Sequence, residues 1–148
     1  MIDIVKVEAN KRTYLPLLLL ADPSEEMIAK YLDRGDLFLL REDGAPACVA
    51  VVAEYDAPGA CELKNLATDE SLQNRGHAGR MLQFLFAHCA KTCRTMYLGT
   101  SEQMIPFYRR FGFAPSHTVK NFFTDFYPEP IFENGLQCID MLYLKRDL

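Results

Sequence analysis

The hydrophobic and polar positions of this chain change period several times along its length. The first eight residues, MIDIVKVE, alternate as a half-buried strand does, and helical spacing follows in two stretches, 14–20 and 24–33. Ser24 precedes two glutamates and Gly35 follows the second stretch, which are signals of a capped helix start and of a helix end. The pattern therefore predicts one strand and then two helices.

The middle of the chain predicts strands joined by one long helix. Apolar runs at 36–43 and 47–55 flank the turn DGAP and indicate a hairpin, and the run 61–69 indicates the next strand. Apolar residues recur at helical spacing over 77–89, and 95–100 is a buried strand that we expect to run parallel to 61–69. Strict alternation predicts one strand face made of Glu62, Lys64, Leu66 and Thr68, and an opposite face made of Leu63, Asn65 and Ala67.

The last third predicts a short helix and two further strands. The helix spans about 105–111, with Pro106 in its first turn and Gly112 after its end. The strands are expected at 116–123 and 137–145, and an aromatic, proline-containing connection joins them.

Composition narrows the class of protein. The chain has 148 residues, of which 49% are hydrophobic, enough for one domain, 1–148, with a continuous core. No repeat or linker interrupts it, so we expect a single α/β domain in which helices cover a mixed sheet. The sequence shows no leader pattern and no apolar run long enough to span a bilayer, which predicts a cytoplasmic protein without membrane contact.

Charge and cysteine usage argue against two kinds of site. The formal net charge is -4 and the isoelectric point is about 5.4, whereas a general nucleic-acid binder normally carries a basic footprint. The five cysteines form no pair with metal-ligand spacing, so we expect buried free thiols and no metal site. Any anionic ligand must therefore be held by a local feature.

The run LQNRGHAGRML, residues 72–82, is such a local feature. It places glycines between a strand and a helix, where free backbone N–H groups at the positive helix end suit a phosphate or pyrophosphate. Arg75 and Arg80 add positive charge, and Gly76 lets a ligand approach the backbone closely. The alternative is that Gly76 and Gly79 only ease a tight turn and helix packing. The run lacks the ending of a nucleotide P-loop and does not complete GxGxxG.

Two blocks of the sequence resemble one known family. QNRGHA is similar to the acyl-CoA pyrophosphate signature Gln/Arg-x-x-Gly-x-Gly/Ala of the GNAT superfamily of N-acetyltransferases, with Gln73, Gly76 and Ala78 at its defining positions. FYRRFGF, residues 107–113, is similar to the later Tyr-x-x-x-Gly-Phe block, and the order of elements resembles the family's layout over essentially the whole chain. The ending of the chain further resembles a little-characterised branch of small bacterial members. The resemblance implies a mostly antiparallel sheet with one parallel, splayed strand pair and about four flanking helices.

The resemblance also implies acetyl-CoA as co-substrate, together with the residues that bind it. The pyrophosphate would lie at the N–H groups around Gly76, and the pantetheine arm would run along the strand near Leu66. His77 is expected to be a solvated turn residue rather than a catalytic base. The cofactor-binding residues implied in this way are Leu66, Ala67, Thr68, Gln73, Asn74, Arg75, Gly76, His77, Ala78, Gly79, Arg80, Ser101 and Phe107.

Two catalytic residues match positions in the family pattern. Tyr108 would be the general acid, because a phenol with a pKa of about 10 keeps its proton at neutral pH and can protonate a thiolate. The alternative is a core aromatic in a helical stripe. Glu62 would accept the amine proton directly or through water, and its alternative is a strand residue paired with Lys64. Ser101 stands where many members carry an Asn that contacts the cofactor.

The acceptor is the part of the function that the sequence identifies least. In the family it enters opposite the cofactor, so the candidate acceptor residues are Tyr31, Glu54, His117, Asn121, Phe123, Asp125, Tyr127 and Glu133. The resemblance implies transfer of an acetyl group directly to a primary amine of a small molecule, with protein lysine as a second option; a homodimer, common in the family, is left open. The alternative function is a sensor that binds acyl-CoA and has lost useful turnover.

Overall fold

One seven-stranded sheet organises the chain, and the computed structural model describes every residue from Met1 to Leu148. The strands are β1 (Ile2–Val7), β2 (Asp36–Glu42), β3 (Ala45–Glu54), β4 (Ala60–Thr68), β5 (Thr95–Thr100), β6 (Ala114–Val119), β7 (Ile131–Glu133), β8 (Leu136–Cys138) and β9 (Met141–Asp147). The helices are α1 (Leu15–Ala21), α2 (Glu25–Leu32), α3 (His77–Cys89), α4 (Ile105–Arg109) and α5 (Phe122–Phe126). The sheet order is β1-β2-β3-β4-β5-β9-β6, and β7 and β8 form a separate hairpin.

Local sequence signals account for several of these boundaries. Ser24 caps α2, because its Oγ accepts a hydrogen bond from the backbone N–H of Met27 at 3.2 Å. Asp43 and Gly44 turn the β2–β3 hairpin with left-handed φ values of 52° and 84°. Pro106 lies in the first turn of α4, where its missing N–H leaves no helical hydrogen bond unmade.

One strand pair of the sheet is parallel. β4 and β5, which α3 connects, pair in parallel from Ala60 with Thr95 to Leu63 with Leu98. Every other neighbouring pair in this sheet is antiparallel. The predicted fold class, a mostly antiparallel mixed sheet with one parallel pair and flanking helices, is confirmed, and the structure has one helix more than expected.

A β-bulge interrupts β4 at Lys64. The pairing with β3 passes from Val51 opposite Asn65 to Val52 opposite Leu63, which leaves Lys64 as an extra residue on β4. Because the bulge adds one residue, it reverses the faces of the side chains that follow it.

The bulge overturns the predicted faces of β4. Lys64 and Asn65 both lie on the side of α1 and α2, since the Lys64 ammonium lies 5.6 Å from the ring centre of Tyr31 and Asn65 Nδ2 donates to the Tyr31 hydroxyl. Leu66 packs with Leu63 in the core on the side of α3. The grouping of Glu62, Lys64, Leu66 and Thr68 on one face is therefore wrong, because it assumed uninterrupted alternation.

The last third of the chain differs most from its prediction. The strand expected at 116–123 ends at Val119, because Asn121 adopts a left-handed φ of 56° and α5 begins directly after it. Asp140 holds this bend by accepting a hydrogen bond from the Asn121 N–H at 2.8 Å. α5 and the β7–β8 hairpin occupy the predicted connection, and the final strand begins at Met141 rather than at 137.

Two apolar cores lie on the two faces of the sheet. The larger packs α3 on the strands through Met81, Leu82 and Leu85, and the smaller packs α1 and α2 on the other face through Leu18 and Ile28. All five cysteines are free thiols, and four of them are buried. None of the helices has the length and apolar character that a membrane crossing requires.

Candidate functional site

A cleft opens where β4 and β5 part. Their pairing stops at Leu63 and Leu98, although β4 continues to Thr68 and β5 to Thr100, so the backbone edges of both strands border the gap. The start of α3, the helix α4 and the end of α1 complete its walls, and its volume is about 890 Å³. Unpaired strand edges of this kind can pair with an extended ligand.

The glycine turn before α3 forms one wall of this cleft. Gly76 adopts a left-handed φ of 83°, and a Cβ added there would meet no atom within 4 Å. No side chain caps the first N–H groups of α3, so they remain available at the positive end of the helix. The turn therefore offers the open space and the free donors that a pyrophosphate group needs.

Most residues predicted to bind the cofactor line the cleft together. They are Leu66, Ala67 and Thr68 from β4, Gln73, Asn74, Gly76, His77, Ala78 and Gly79 from the turn and α3, and Phe107 from α4, beside Tyr108. The other predicted cofactor residues, Arg75, Arg80 and Ser101, do not line it. The fold thus assembles the backbone part of the predicted site and leaves three polar side chains outside the cleft.

The two arginines of the turn lie at the protein surface. Arg75 Nη1 is 3.3 Å from Glu42 Oε2 at the end of β2, and the Arg75 side chain is 54% exposed. Arg80 is exposed on the first turn of α3. Their charges therefore act on the turn from the solvent side and are screened by salt.

His77 is buried, so the prediction of a solvated turn residue is wrong. The residue is 2% exposed, and neither ring nitrogen has a hydrogen-bond partner. Its Nε2 lies 3.6 Å from Glu42 Oε2. The physical reason is position: His77 starts α3 and stands on the same helical stripe as Met81 and Leu85, four and eight residues on, which faces the core.

Tyr108 lies in the cleft wall with its ring packed into the core. The residue is 8% exposed, and its ring meets those of Phe107 and Phe113 edge to face, with centroids 5.1 and 5.8 Å away. Burial raises the pKa of Tyr108 well above its ordinary value, and the nearby Cys48 and Glu133 raise it further. The phenol therefore keeps its proton at neutral pH.

Glu62 lies beside the cleft but outside its lining. Its Oε2 accepts hydrogen bonds from Lys64 Nζ at 3.2 Å and from the Tyr143 hydroxyl at 2.9 Å. Burial and the negative charge of Glu62 raise the pKa of Tyr143 above its ordinary value. The expected ion pair with Lys64 is present. Because Lys64 itself borders the cleft, the Glu62 carboxylate contacts a residue of the cleft lining without being part of it.

Ser101 is engaged with the β7–β8 hairpin. Its Oγ donates to Glu133 Oε2 at 2.5 Å, and the residue is 6% exposed. Glu133 lines the cleft, and Gln103 Nε2 donates to the Glu133 backbone carbonyl at 2.7 Å. The hydroxyl of Ser101 thus fixes a carboxylate at the cleft.

The candidate acceptor residues do not converge on one site. Glu133 is the member of that set that lines the cleft. Tyr31 and Tyr127 both donate to Asp22, at 3.1 and 2.8 Å, behind the cleft wall. His117 stacks on Tyr143 with ring centres 4.6 Å apart. The remaining candidates lie at the exposed end of β3 or in the segment around α5, and they are Glu54, Asn121, Phe123 and Asp125.

Asn65 and the end of α1 are parts of the cleft that the sequence prediction missed. Asn65 is 4% exposed, and its Nδ2 donates to the Leu18 carbonyl at 3.0 Å and to the Tyr31 hydroxyl at 3.1 Å. Its Oδ1 is buried without a donor. Leu20 and Ala21 complete this wall. A polar residue inside an apolar strand was the available signal for Asn65, whereas no local signal places the end of α1 at the strand gap.

A glycine turn with free helix amides, a gap between parallel strands and a buried phenol in the gap wall define an acyltransferase that holds an acyl-CoA in a split sheet. Residues 33–115 match the family model for the acetyltransferase (GNAT) domain. The chain belongs to the GNAT acetyltransferase family, as its sequence predicted.

Three relatives extend this match over almost the whole chain. An uncharacterised N-acetyltransferase of Bacillus subtilis (strain 168), YvbK, is 35% identical over 145 residues, which cover 95% of this chain and 92% of the relative. A GNAT family acetyltransferase from Elizabethkingia anophelis, solved with acetyl-CoA bound, is 35% identical with a TM-score of 0.93, covering 99% of this chain and 98% of that one. A Bacillus subtilis acetyltransferase solved in complex with CoA is 32% identical with a TM-score of 0.91, covering 100% and 99%. The solved relatives thus contain acetyl-CoA, the predicted co-substrate, or CoA, its product.

Proposed function

We propose that this protein transfers an acetyl group from acetyl-CoA directly to the primary amine of a small molecule. The observation that carries the proposal is the cleft, in which the glycine turn, the open edge of β4 and Tyr108 line one continuous space. The relatives solved with acetyl-CoA and with CoA support the choice of co-substrate. Acetyl-CoA supplies the activated thioester, and the chain supplies binding, orientation and proton transfer.

Backbone groups bind the co-substrate in this proposal. The free N–H groups at the start of α3 hold the pyrophosphate, and Gly76 leaves the space that it needs. The unpaired edge of β4, from Leu66 to Thr68, pairs with the extended pantetheine arm as a further strand would. A backbone N–H near Leu66 stabilises the negative charge that develops on the thioester oxygen.

Two side chains move protons. Glu62 accepts the proton that the acceptor ammonium must lose. The proton passes through water, because Glu62 does not line the cleft itself and only contacts Lys64, which does. The amine nitrogen then bonds to the carbonyl carbon as the carbon–sulfur bond breaks, and Tyr108 donates its proton to the leaving thiolate. The nitrogen loses its second proton to the tyrosinate, which restores Tyr108, and Glu62 passes its proton to solvent, so each turnover releases one proton.

A second candidate function is a GNAT-fold sensor that binds acyl-CoA with little turnover. The observation that favours it is the state of Glu62, whose Oε2 is already occupied by Lys64 and Tyr143. Both lone pairs of that oxygen are then engaged within the chain. The two functions share the cofactor cleft and differ in amine-dependent turnover.

The test is release of free thiol from acetyl-CoA across a panel of amines, with acetyl-CoA binding measured by calorimetry on the same sample. The proposal expects binding together with thiol release that depends on one class of amine. Tight binding without amine-dependent release would favour the sensor. Absence of binding would contradict both functions.

A further inference from the structure

The acceptor side of the cleft, defined by Leu20, Ala21, Lys64, Asn65 and Glu133, carries a fixed carboxylate. Ser101 Oγ donates to Glu133 Oε2 at 2.5 Å, whereas no group of the chain donates to its Oε1.

Two further hydrogen bonds hold the hairpin that carries this carboxylate. Gln103 Nε2 donates to the Glu133 carbonyl at 2.7 Å, and Asn134 Nδ2 donates to Gln103 Oε1 at 2.6 Å. Glu133 therefore presents one free oxygen from a braced hairpin, in the same cleft as Tyr108.

Asn65 supplies a second acceptor in the same cleft. Its amide orientation is fixed, because Nδ2 faces the Leu18 carbonyl, which can only accept a hydrogen bond. Its Oδ1 is therefore the atom left buried without a donor, in a residue that is 4% exposed. A buried amide oxygen without a donor is unfavourable, so a donor brought by a ligand would satisfy it.

The balance of charge around the acceptor side is negative. Lys64 is already paired with Glu62 at 3.2 Å, so its charge is compensated within the chain. Glu133 receives a neutral hydroxyl from Ser101 rather than a cation. Asp22 adds a further carboxylate behind this wall, two hydrogen bonds away from Asn65 through the Tyr31 hydroxyl.

We propose that Glu133 and the Oδ1 of Asn65 bind the ammonium group of the acceptor, and that the acceptor is an aliphatic amine with no carboxylate beside that ammonium. An ammonium carries three donors and satisfies both free acceptors, whereas a carboxylate on the neighbouring carbon would be repelled by Glu133. The inference rests on the proposed function and narrows its acceptor to diamines, arylalkylamines and similar cations, excluding α-amino acids. Glu133 acts here on binding and orientation, while Glu62 keeps the role of proton acceptor.

Matched ligand pairs test this inference without any need for turnover. Cadaverine against lysine, and tyramine against tyrosine, are titrated by calorimetry into the protein saturated with CoA. The variant Glu133→Gln is compared with Glu129→Gln, which changes an exposed carboxylate of the same connection. In the wild type, at least one amine should bind roughly tenfold more tightly than its own amino acid. Glu133→Gln should weaken amine binding roughly tenfold, and Glu129→Gln should leave it unchanged, with acetyl-CoA affinity and melting temperature equal in all three proteins.

Thiol-release kinetics on the same proteins separate this inference from the proposed function. Glu133→Gln should raise KM for the amine roughly tenfold and change kcat little, because the residue acts on binding. Equal affinity for amine and amino acid, binding by no amine, or unchanged binding in Glu133→Gln would overturn the inference. Amine binding that depends on Glu133 but yields no thiol release would support it and would contradict the transferase.

Discussion

The cofactor side and the acceptor side of the cleft are built in different ways. In the proposed function, the cofactor side is the short run 73–79 with the adjoining edge of β4, and the groups that would bind the cofactor are mainly backbone N–H and C=O groups. The acceptor side proposed above collects Ala21, Asn65 and Glu133 from three separate parts of the chain, and the groups that would bind the amine are side chains. A site of backbone groups is encoded in one stretch of sequence, whereas a site of converging side chains depends on the entire fold.

The bulge at Lys64 connects the two sides. It lies directly after the last residue of β4 that pairs with β5, where the cleft begins. It also brings Lys64 and Asn65 to the same face, beside α1 and α2. One extra residue in a strand thus marks the point where β4 and β5 part and places two polar side chains on one face.

The largest effect on kcat is expected at Tyr108, which lines the cleft. Tyr108→Phe removes the proton donor and should lower kcat about 100- to 1,000-fold, while the Kd for acetyl-CoA changes by less than about twofold. Steady-state kinetics and calorimetry measure the two quantities. Tyr14→Phe, partly buried against the core beside α1 and α2, is the matched control and should be neutral. An unchanged kcat in Tyr108→Phe would remove this residue from the mechanism.

The raised pKa of Tyr108 also predicts how stability depends on pH. Burial keeps the phenol neutral in the folded protein, whereas an unfolded tyrosine ionises near pH 10, at about its ordinary pKa. Above about pH 10 the unfolded state loses this proton first, so the free energy of unfolding falls as pH rises. Urea unfolding across this pH range should show that the free energy of unfolding falls less steeply in Tyr108→Phe than in the wild type. Identical slopes would contradict the raised pKa of Tyr108.

The next largest effect on kcat is expected at Glu62, which pairs with Lys64 of the acceptor side. Glu62→Gln should lower kcat roughly 10- to 100-fold with little change in acetyl-CoA affinity, because the variant cannot accept the amine proton. The matched control is Glu54→Gln, at the exposed end of β3. If kcat stays the same, Glu62 serves only as the partner of Lys64 and Tyr143.

Two glycines near the start of α3 separate an effect on cofactor binding from an effect on stability. Gly76→Ala places a methyl group in open space that the pyrophosphate would use, so acetyl-CoA affinity should fall roughly tenfold, beyond a stability loss of about 1 kcal/mol from the left-handed backbone. Gly79→Ala places its Cβ 3.0 Å from the Phe111 ring, so it should act on stability rather than on the cofactor space, with the ring contact opposing the gain of about 1 kcal/mol from alanine inside a helix. Calorimetry and urea unfolding separate the two effects. Equal affinity losses in both variants would contradict a direct role for the space at Gly76.

The smallest effect is expected from the two surface arginines. Arg75→Ala and Arg80→Ala should each weaken acetyl-CoA binding about two- to fivefold at low salt, and less at high salt, because both charges act through solvent. Arg34→Ala, an exposed arginine after α2, is the control. Loss of most of the affinity in either variant would mean that side chains, rather than backbone groups, form the cradle.

The sequence predicted the local structure around the cleft well, because its signals are local. The glycine turn, the capped start of α2 at Ser24 and the proline of α4 each depend on neighbours within a few residues. The parallel pairing of β4 and β5 was also predictable, since a helix connects them.

The errors concern features that depend on distant parts of the chain. The bulge at Lys64 is defined by pairing with β3, and the left-handed turn at Asn121 is held by Asp140 from the next segment. His77 was expected to be solvated because it lies on the phosphate side of the turn, although its spacing to Met81 already placed it on the buried stripe. The role of Ser101 could not be predicted, because its partner Glu133 lies in a hairpin that local patterns did not indicate.

The most direct test of the account is the balance between acetylated amine, measured by mass spectrometry, and CoA released in the same reaction. Direct transfer predicts equal amounts of the two products, no release without amine, and a parallel fall of both in Tyr108→Phe. CoA release without acetylated amine, or acetyl groups retained on the protein, would contradict it.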